Sequence, residues 1–300
     1  MTVLVVGDVV DDVSVRPLTA VTAASDTNAE IRTQPGGSAA NVAAWLGHLG
    51  VAARFVGRCG ADGVGRHTDA LAALGVDARL VGDPDRITAT IVLQLDDAGE
   101  RTMFVDRGAN RGLVAADVGD DAWDGVTWLH LTGYTFFDAG TRPVALDLLA
   151  RARERGVGVS VDPSTVSFLR DVGGAAFLDW TDGADLAFPN LDEARVLVDA
   201  RGPQIDLDAL ADRYGAVAVT LGSMGAAFVG RGPDGSELRD QVTAPRTGVV
   251  DTTGAGDAFA AGFLAVWTRR GGRGDVRAAL ESGRAAAERC VAAVGARPAR

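Results

Sequence analysis

The run Asp251-Thr-Thr-Gly-Ala-Gly-Asp257-Ala-Phe joins a small-residue loop to a carboxylate where a long apolar helix begins. It follows a strand-like stretch at 247–250, and the helix it opens continues to about residue 268. Gly254, Ala255 and Gly256 then sit at a helix N-terminus, where unpaired N–H groups and the helix dipole favour an anion. Their small side chains let that anion reach the backbone. Asp257 falls in the first helical turn, facing the same place, where a carboxylate can accept the proton of an attacking hydroxyl. An Asp N-cap beside flexible glycines would look the same without chemistry.

Asn190 and Glu193 stand three apart at a helix start, a spacing that puts both side chains on one face. Asn190 as N-cap with Glu193 at the third helical position would also make a capping box. Thr220, Gly222, Ser223 and Gly225 follow a strand and permit close backbone approach, as a tight strand–strand turn also would. The three histidines, His48, His67 and His130, lack metal-ligand spacing and are expected to be structural or exposed. Cys59 and Cys290 are far apart, so neither a disulfide framework nor a thiolate metal site is indicated.

These residues need a scaffold. Short apolar runs at 3–9, 53–57, 78–81, 126–131, 157–161, 184–188 and 217–221 predict strands. Helical patterns lie between them at 38–49, 65–74, 142–155, 191–200 and 207–214, and two more, 256–269 and 276–293, follow. Buried strands joined by crossover helices mean an α/β fold, with a mostly parallel central sheet between two helical layers. Ligands in such sheets bind at the carboxyl ends of the strands. Segments 87–95 and 102–105 flank Asp-Asp-Ala-Gly-Glu (96–100) as a hairpin. With 9–34 they predict either a small β-sheet lid over the strand ends or edge strands of the main sheet. The chain is expected to be one domain, 1–300, with lid segments near 10–35 and 86–110.

The net charge of −11 argues against nucleic acid or an anionic membrane as partner. All 29 basic residues are arginine, so no P-loop lysine, Schiff-base lysine or Ser-Lys pair is available. The first residues, MTVLVVGDVVDD, read as a strand, and the apolar run 258–267 is about half a membrane span. A cytoplasmic protein is expected.

The stretch 251–259 resembles the C-terminal signature of the ribokinase-like, or PfkB-type, carbohydrate kinases. Gly7-Asp8-x3-Asp12, Gly36-Gly37-Ser-Ala-Ala-Asn41-Val-Ala and Gly57-x2-Gly60-x-Asp62-x2-Gly65 resemble the family's earlier elements. Gly108-Ala-Asn110, Asp162-Pro163, Pro189-Asn190-x2-Glu193, Thr220-Leu-Gly222-x2-Gly225-Ala and Gly295-Ala-x-Pro298 follow in the family's order.

The resemblance implies transfer of the ATP γ-phosphoryl to a hydroxyl of a small sugar-like substrate. Asp257 would be the general base and 254–256 the anion hole. Asp12, Gly36, Gly37, Asn41 and Arg107 would meet the acceptor; Asn190, Thr220, Gly222, Ser223, Gly225 and Arg284 would meet the nucleotide. Asn190 and Glu193 would hold Mg²⁺ through water, and Asp251 and Thr253 would border a monovalent cation such as K⁺. A homodimer through the lid is implied as well. Some relatives that phosphorylate fructose or sugar acids carry an arginine soon after Asp-Pro; here Val166 follows and Arg170 comes late. A nucleoside kinase of the same family is the alternative, with Phe104, Tyr134, Phe136 and Phe137 as a wall for a base. A non-catalytic sugar-binding regulator is another. A dinucleotide-dependent oxidoreductase would need GxGxxG after the first strand, which Gly7-Asp8-Val9-Val10 lacks.

Overall fold

A computed structural model describes residues 1–95, 101–202, 204–232, 235–245, 248–270 and 275–299. The chain runs through β1 (Thr2–Val6), β2 (Val10–Pro17), β3 (Ala29–Gly36), α1 (Ser38–His48), β4 (Ala53–Gly60), α2 (Val64–Ala72) and β5 (Val76–Asp83). Next come β6 (Ala89–Leu95), β7 (Arg101–Asp106), β8 (Val126–Thr132), α3 (Gly133–Phe137), α4 (Arg142–Arg155), β9 (Gly158–Asp162), α5 (Val166–Val172) and α6 (Gly174–Trp180). It finishes with β10 (Leu186–Ala187), α7 (Leu191–Leu197), α8 (Leu207–Tyr214), β11 (Ala216–Thr220), β12 (Ala226–Arg231), β13 (Glu237–Val242), α9 (Ala255–Trp267) and α10 (Val276–Val291).

Among the described residues, nine strands form the main sheet in the order β13-β12-β11-β10-β9-β8-β1-β4-β5. From β11 to β5 the neighbours are parallel. Only the β11–β12–β13 edge is antiparallel. Strand β1 shows why the middle reads as continuous apolar sequence. Val3 and Val5 enter one core, with α1, α9 and α10; Leu4 and Val6 enter the other, beneath α4 to α8. Alternate side chains of one strand thus feed both layers. The apolar run 258–267 belongs to α9, which is buried nearly all round. It lies against α10, where a Cβ on Gly283 would come within 2.9 Å of Phe259. Among the described residues no helix is long and apolar enough to cross a membrane.

The strands of 10–36 and 89–106 are not edges of the main sheet. They form a separate four-stranded sheet, β3-β2-β6-β7, whose β2 runs parallel to β6 and antiparallel to β3. Helices at Arg142–Arg155 and Leu207–Tyr214 have the bounds the pattern predicts. The strand expected at 247–250 is absent: 248–250 form none, with Val249 and Val250 about 60% and 57% exposed and unsupported by a neighbour strand. Residue 247 and the turn 96–100 lie outside the described residues. The β12–β13 hairpin and helices α5 and α6 were not expected.

Candidate active site

The carboxyl ends of β1, β8 and β9 and the inner face of the small sheet enclose one cleft of about 890 Å³. Its floor starts at Asp8, just past β1. The Asp8 carboxylate accepts from the N–H groups of Ser38 (2.8 Å) and Ala39 (3.1 Å) and from Thr132 Oγ1 (3.3 Å). A remote side chain therefore caps α1, because Gly37, the preceding residue, has no side chain to do so. Gly37 is also required sterically: it has φ +98°, and a Cβ there would sit 2.6 Å from the Asp8 carbonyl.

Capped this way, the first turn of α1 presents Ser38 and Asn41 to Asp257 on α9. Ser38 Oγ donates to Asp257 Oδ1 at 2.7 Å, and Asn41 Nδ2 donates to Oδ2 at 2.9 Å. Enclosure in the cleft floor pushes the Asp257 carboxyl up to about 7, opposed by these two hydrogen bonds and reinforced by Asp8 and Asp12. Gly254 caps α9 in a left-handed conformation (φ +75°), and a Cβ there would meet Ala296 at 2.5 Å. The Ala255 N–H closes a turn onto the Thr252 carbonyl at 3.3 Å. The N–H groups of Gly254 and Gly256 have no partner among the described residues.

Arg297 occupies the unspecified position of Gly295-Ala-x-Pro298, and nothing in the motif pointed to it. Its Nε donates to Asn41 Oδ1 (3.2 Å) and its Nη2 to the Gly36 carbonyl (2.9 Å). Burial lowers it to about 10, so it stays charged, with Asp12, Asp8 and Asp257 acting in the opposite direction. The segment carrying it is pinned by Trp45 Nε1 donating to the Ala296 carbonyl (2.9 Å) and by the Gly295 N–H donating to Asp251 Oδ2 (3.0 Å).

Asp12, on β2, faces the cleft from the small sheet. Burial raises it to about 6, and Arg297 opposes the shift. Gly36 lies under its carboxylate, leaving no room for a Cβ. Arg107 lines the same side, its Nη2 donating to the Tyr134 carbonyl (3.0 Å) and its guanidinium 5.5 Å from the Tyr134 ring. Asn110 Oδ1 accepts from the Val9 N–H at 3.3 Å and ties that side to the floor.

Across the cleft, Asn190 and Glu193 form the capping box. Asn190 Oδ1 accepts from the N–H groups of Asp192 (3.0 Å) and Glu193 (2.9 Å), and Glu193 Oε2 accepts from the Asn190 N–H (2.9 Å). Both residues also line the cleft. Burial pushes Glu193 up to about 7. Asp162 is raised well above the carboxylate range, first by burial and then by Glu193 and Asp257. Three carboxylates that resist ionising together make a region that favours a cation. Among the described residues, however, no three His, Cys, Asp or Glu side chains are arranged to hold a metal ion.

Thr220 lines the cleft, joined by a bridge to Asn190. Gly222, Ser223 and Gly225 are in the turn between β11 and β12, and Gly225 (φ +111°) passes so close to the Val242 carbonyl that no Cβ fits. Arg284 lies apart from the cleft on α10, paired with Glu288, beside a recess of about 340 Å³. Asp251 Oδ1 accepts from Thr253 N (2.9 Å) and Oγ1 (2.7 Å), closing the loop before α9. Of the four aromatic residues expected to form a wall, Tyr134 lines the cleft, joined by Phe168. Phe136 is in the core with Phe137 packed against it, and Phe104 is exposed. His130 is buried against Ser160 (2.8 Å), and His67 faces Asp11 (3.1 Å).

The family described as "pfkB family carbohydrate kinase" matches residues 2–300. An ATP-dependent ribose-1-phosphate kinase of Halopiger xanaduensis is 37% identical over 86% of this chain and 81% of its own. A fructokinase of Vibrio alginolyticus is 33% identical over 78% of this chain and 77% of its own. The crystal structure of a probable sugar kinase from Rhizobium etli superposes with a TM-score of 0.87 at 28% identity, covering 99% of this chain and 95% of that one. The chain belongs to the PfkB family of carbohydrate kinases, and its fold is ribokinase-like. It is a kinase that phosphorylates a sugar at the expense of ATP.

Proposed function

We propose that Asp257 takes the proton of an acceptor hydroxyl while the N–H groups of Gly254 and Gly256, rather than that of Ala255, receive charge developing on the transferring phosphoryl. One observation carries this reading. A carboxylate held by Ser38 and Asn41 stands one turn from the unpaired N–H groups of Gly254 and Gly256, in the same cleft. A base near 7 is matched to proton transfer at neutral pH. The N–H groups need no reorganisation as charge builds on the phosphoryl.

ATP would lie along Asn190, Thr220 and the turn with Gly222, Ser223 and Gly225. Asn190 and Glu193 fit a hard divalent cation held through water, since Mg²⁺ retains waters and takes few protein oxygens. When bound, Mg²⁺ would neutralise the phosphates beside Asp162 and Glu193. Asp251 and Thr253 would border a K⁺ ion together with nearby carbonyls, and rates in potassium against sodium test that. Arg284 would serve the nucleotide from the neighbouring recess.

Asp12, Gly36, Gly37 and Arg107 would form the acceptor side. Asn41 is spent on Asp257 and Arg297, so it would act on the acceptor through the base. Arg16, Arg32 and Arg107 line this side, which suits a sugar bearing a phosphate, as in the name of the Halopiger relative. Tyr134 and Phe168 support a nucleoside as the second reading. A panel of pentoses, hexoses, sugar acids, sugar phosphates and nucleosides, read by ATP consumption, decides. Turnover with a sugar or sugar phosphate is expected, and turnover confined to nucleosides selects the second reading.

The outer face of the small sheet carries Val13, Val15, Ile31, Val92 and Phe104 in register. Ile31 and Phe104 are more than half exposed. A second copy would cover this face, and light scattering at the dimer mass is the check.

A further inference from the structure

We propose that Arg297 is a positioning residue for phosphoryl transfer, fixing Asn41 so that its amide nitrogen faces Asp257. The inference rests on Asp257 being the base. An asparagine side chain can present either its oxygen or its nitrogen to a neighbour, and the two orientations are nearly equal in shape. Arg297 removes that choice. Its Nε–H donates to Asn41 Oδ1, and a guanidinium has only donors, so the oxygen must face Arg297. The Nδ2 group is left for Asp257 Oδ2, where it is found. The opposite orientation would set the Asn41 oxygen against the ionised carboxylate, with no proton between them.

The guanidinium is itself held. Nη2 donates to the Gly36 carbonyl, so two bonds to two elements set its plane. The same fork therefore links the strand bearing Gly36, beneath Asp12, to the helix bearing Asn41. The tail is anchored independently on both sides of Ala296: at Gly295 by Asp251, and at the Ala296 carbonyl by Trp45. A lysine could reach one of the two acceptors but lacks the planar fork to hold both. Arg297 does not line the cleft, so it acts through Asn41 rather than on substrate.

The test is a kinetic cycle of Arg297→Met, Asn41→Ala and the double variant, with Asp257→Asn alongside and ATP binding measured for each. Arg297→Met should lower kcat about 10- to 100-fold, the range expected when a reacting group loses its alignment, with KM for ATP changed less than about threefold. In the Asn41→Ala background the same change should cost less than about threefold more, because its route to the base is already gone. Arg297→Lys should give an intermediate kcat, and it carries the test if Arg297→Met does not fold. Wild-type kcat in Arg297→Lys, or full additivity in the cycle, overturns the proposal. If Asp257→Asn keeps wild-type turnover, the base assignment fails first, a result distinct from an inactive Asp257→Asn with an unaffected Arg297→Met.

Discussion

Replacing Asp257 with asparagine should abolish turnover and yet make the protein harder to unfold. The carboxyl has an ordinary value of 3.8 in an unfolded chain and about 7 in the folded one. A carboxyl raised on folding prefers the proton in the folded state. Folding is therefore unaffected by this group below about pH 4, loses stability as pH rises from there to about 7, and stays at the lower level above. A displacement from 3.8 to about 7, at 1.36 kcal/mol per unit, sets a ceiling of about 4 kcal/mol. Water in the cleft screens the charge, and about 2 kcal/mol is the expected cost at pH 8. Asparagine carries no charge and can still accept from Asn41. Melting temperatures of both proteins should coincide near pH 4 and separate by roughly 4 °C at pH 8, the variant being higher. ATP consumption should fall by several orders of magnitude, with ATP affinity kept. Wild-type turnover should itself rise about tenfold between pH 6 and 8, because the base must be ionised. Equal melting temperatures at pH 8 would refute the costly ionisation, and retained turnover would remove Asp257 from the chemistry.

Gly254→Ala should lose most activity and lower the melting temperature. A left-handed alanine costs about 1–2 kcal/mol, and its Cβ would also meet the Ala296 backbone at 2.7 Å. Gly36→Ala should leave the fold intact, since the obstructing atom is the tip of Asp12. It should raise KM for the acceptor about tenfold, with KM for ATP unchanged, by displacing a charged hydrogen-bonding partner. Glu193→Gln keeps an acceptor for the Asn190 N–H but removes a charge. The Mg²⁺ concentration for half-maximal rate should rise about tenfold, read by titrating the metal at fixed ATP.

The layers of the fold were legible because strands buried on both faces read as continuous apolar runs and crossover helices show a different period. The β12–β13 hairpin was not, because β13 (Glu-Leu-Arg-Asp-Gln-Val) is charged and lies at the sheet edge. In the site, Asp257 and the loop before it announce themselves by order and spacing. Arg297 does not, since a tail arginine carries no local pattern and its partners, Asn41 and Gly36, lie more than 250 residues back. Asp8 was visible only as part of a motif, and its task as a remote cap emerges once α1 is placed. Asn190 and Glu193 allowed capping and ligand binding alike, and the structure shows that the capping pattern is compatible with a place on the cleft wall.

The bonds that build the base's surroundings span 219, 216 and 256 positions of the chain. Contacts so distant in sequence must wait for long loops to close. Recovery of turnover during refolding should therefore lag behind recovery of helical signal. An incompletely folded molecule would lack the Ser38 and Asn41 donors that hold Asp257 in place, and so could not spend ATP on water before its substrate pocket existed.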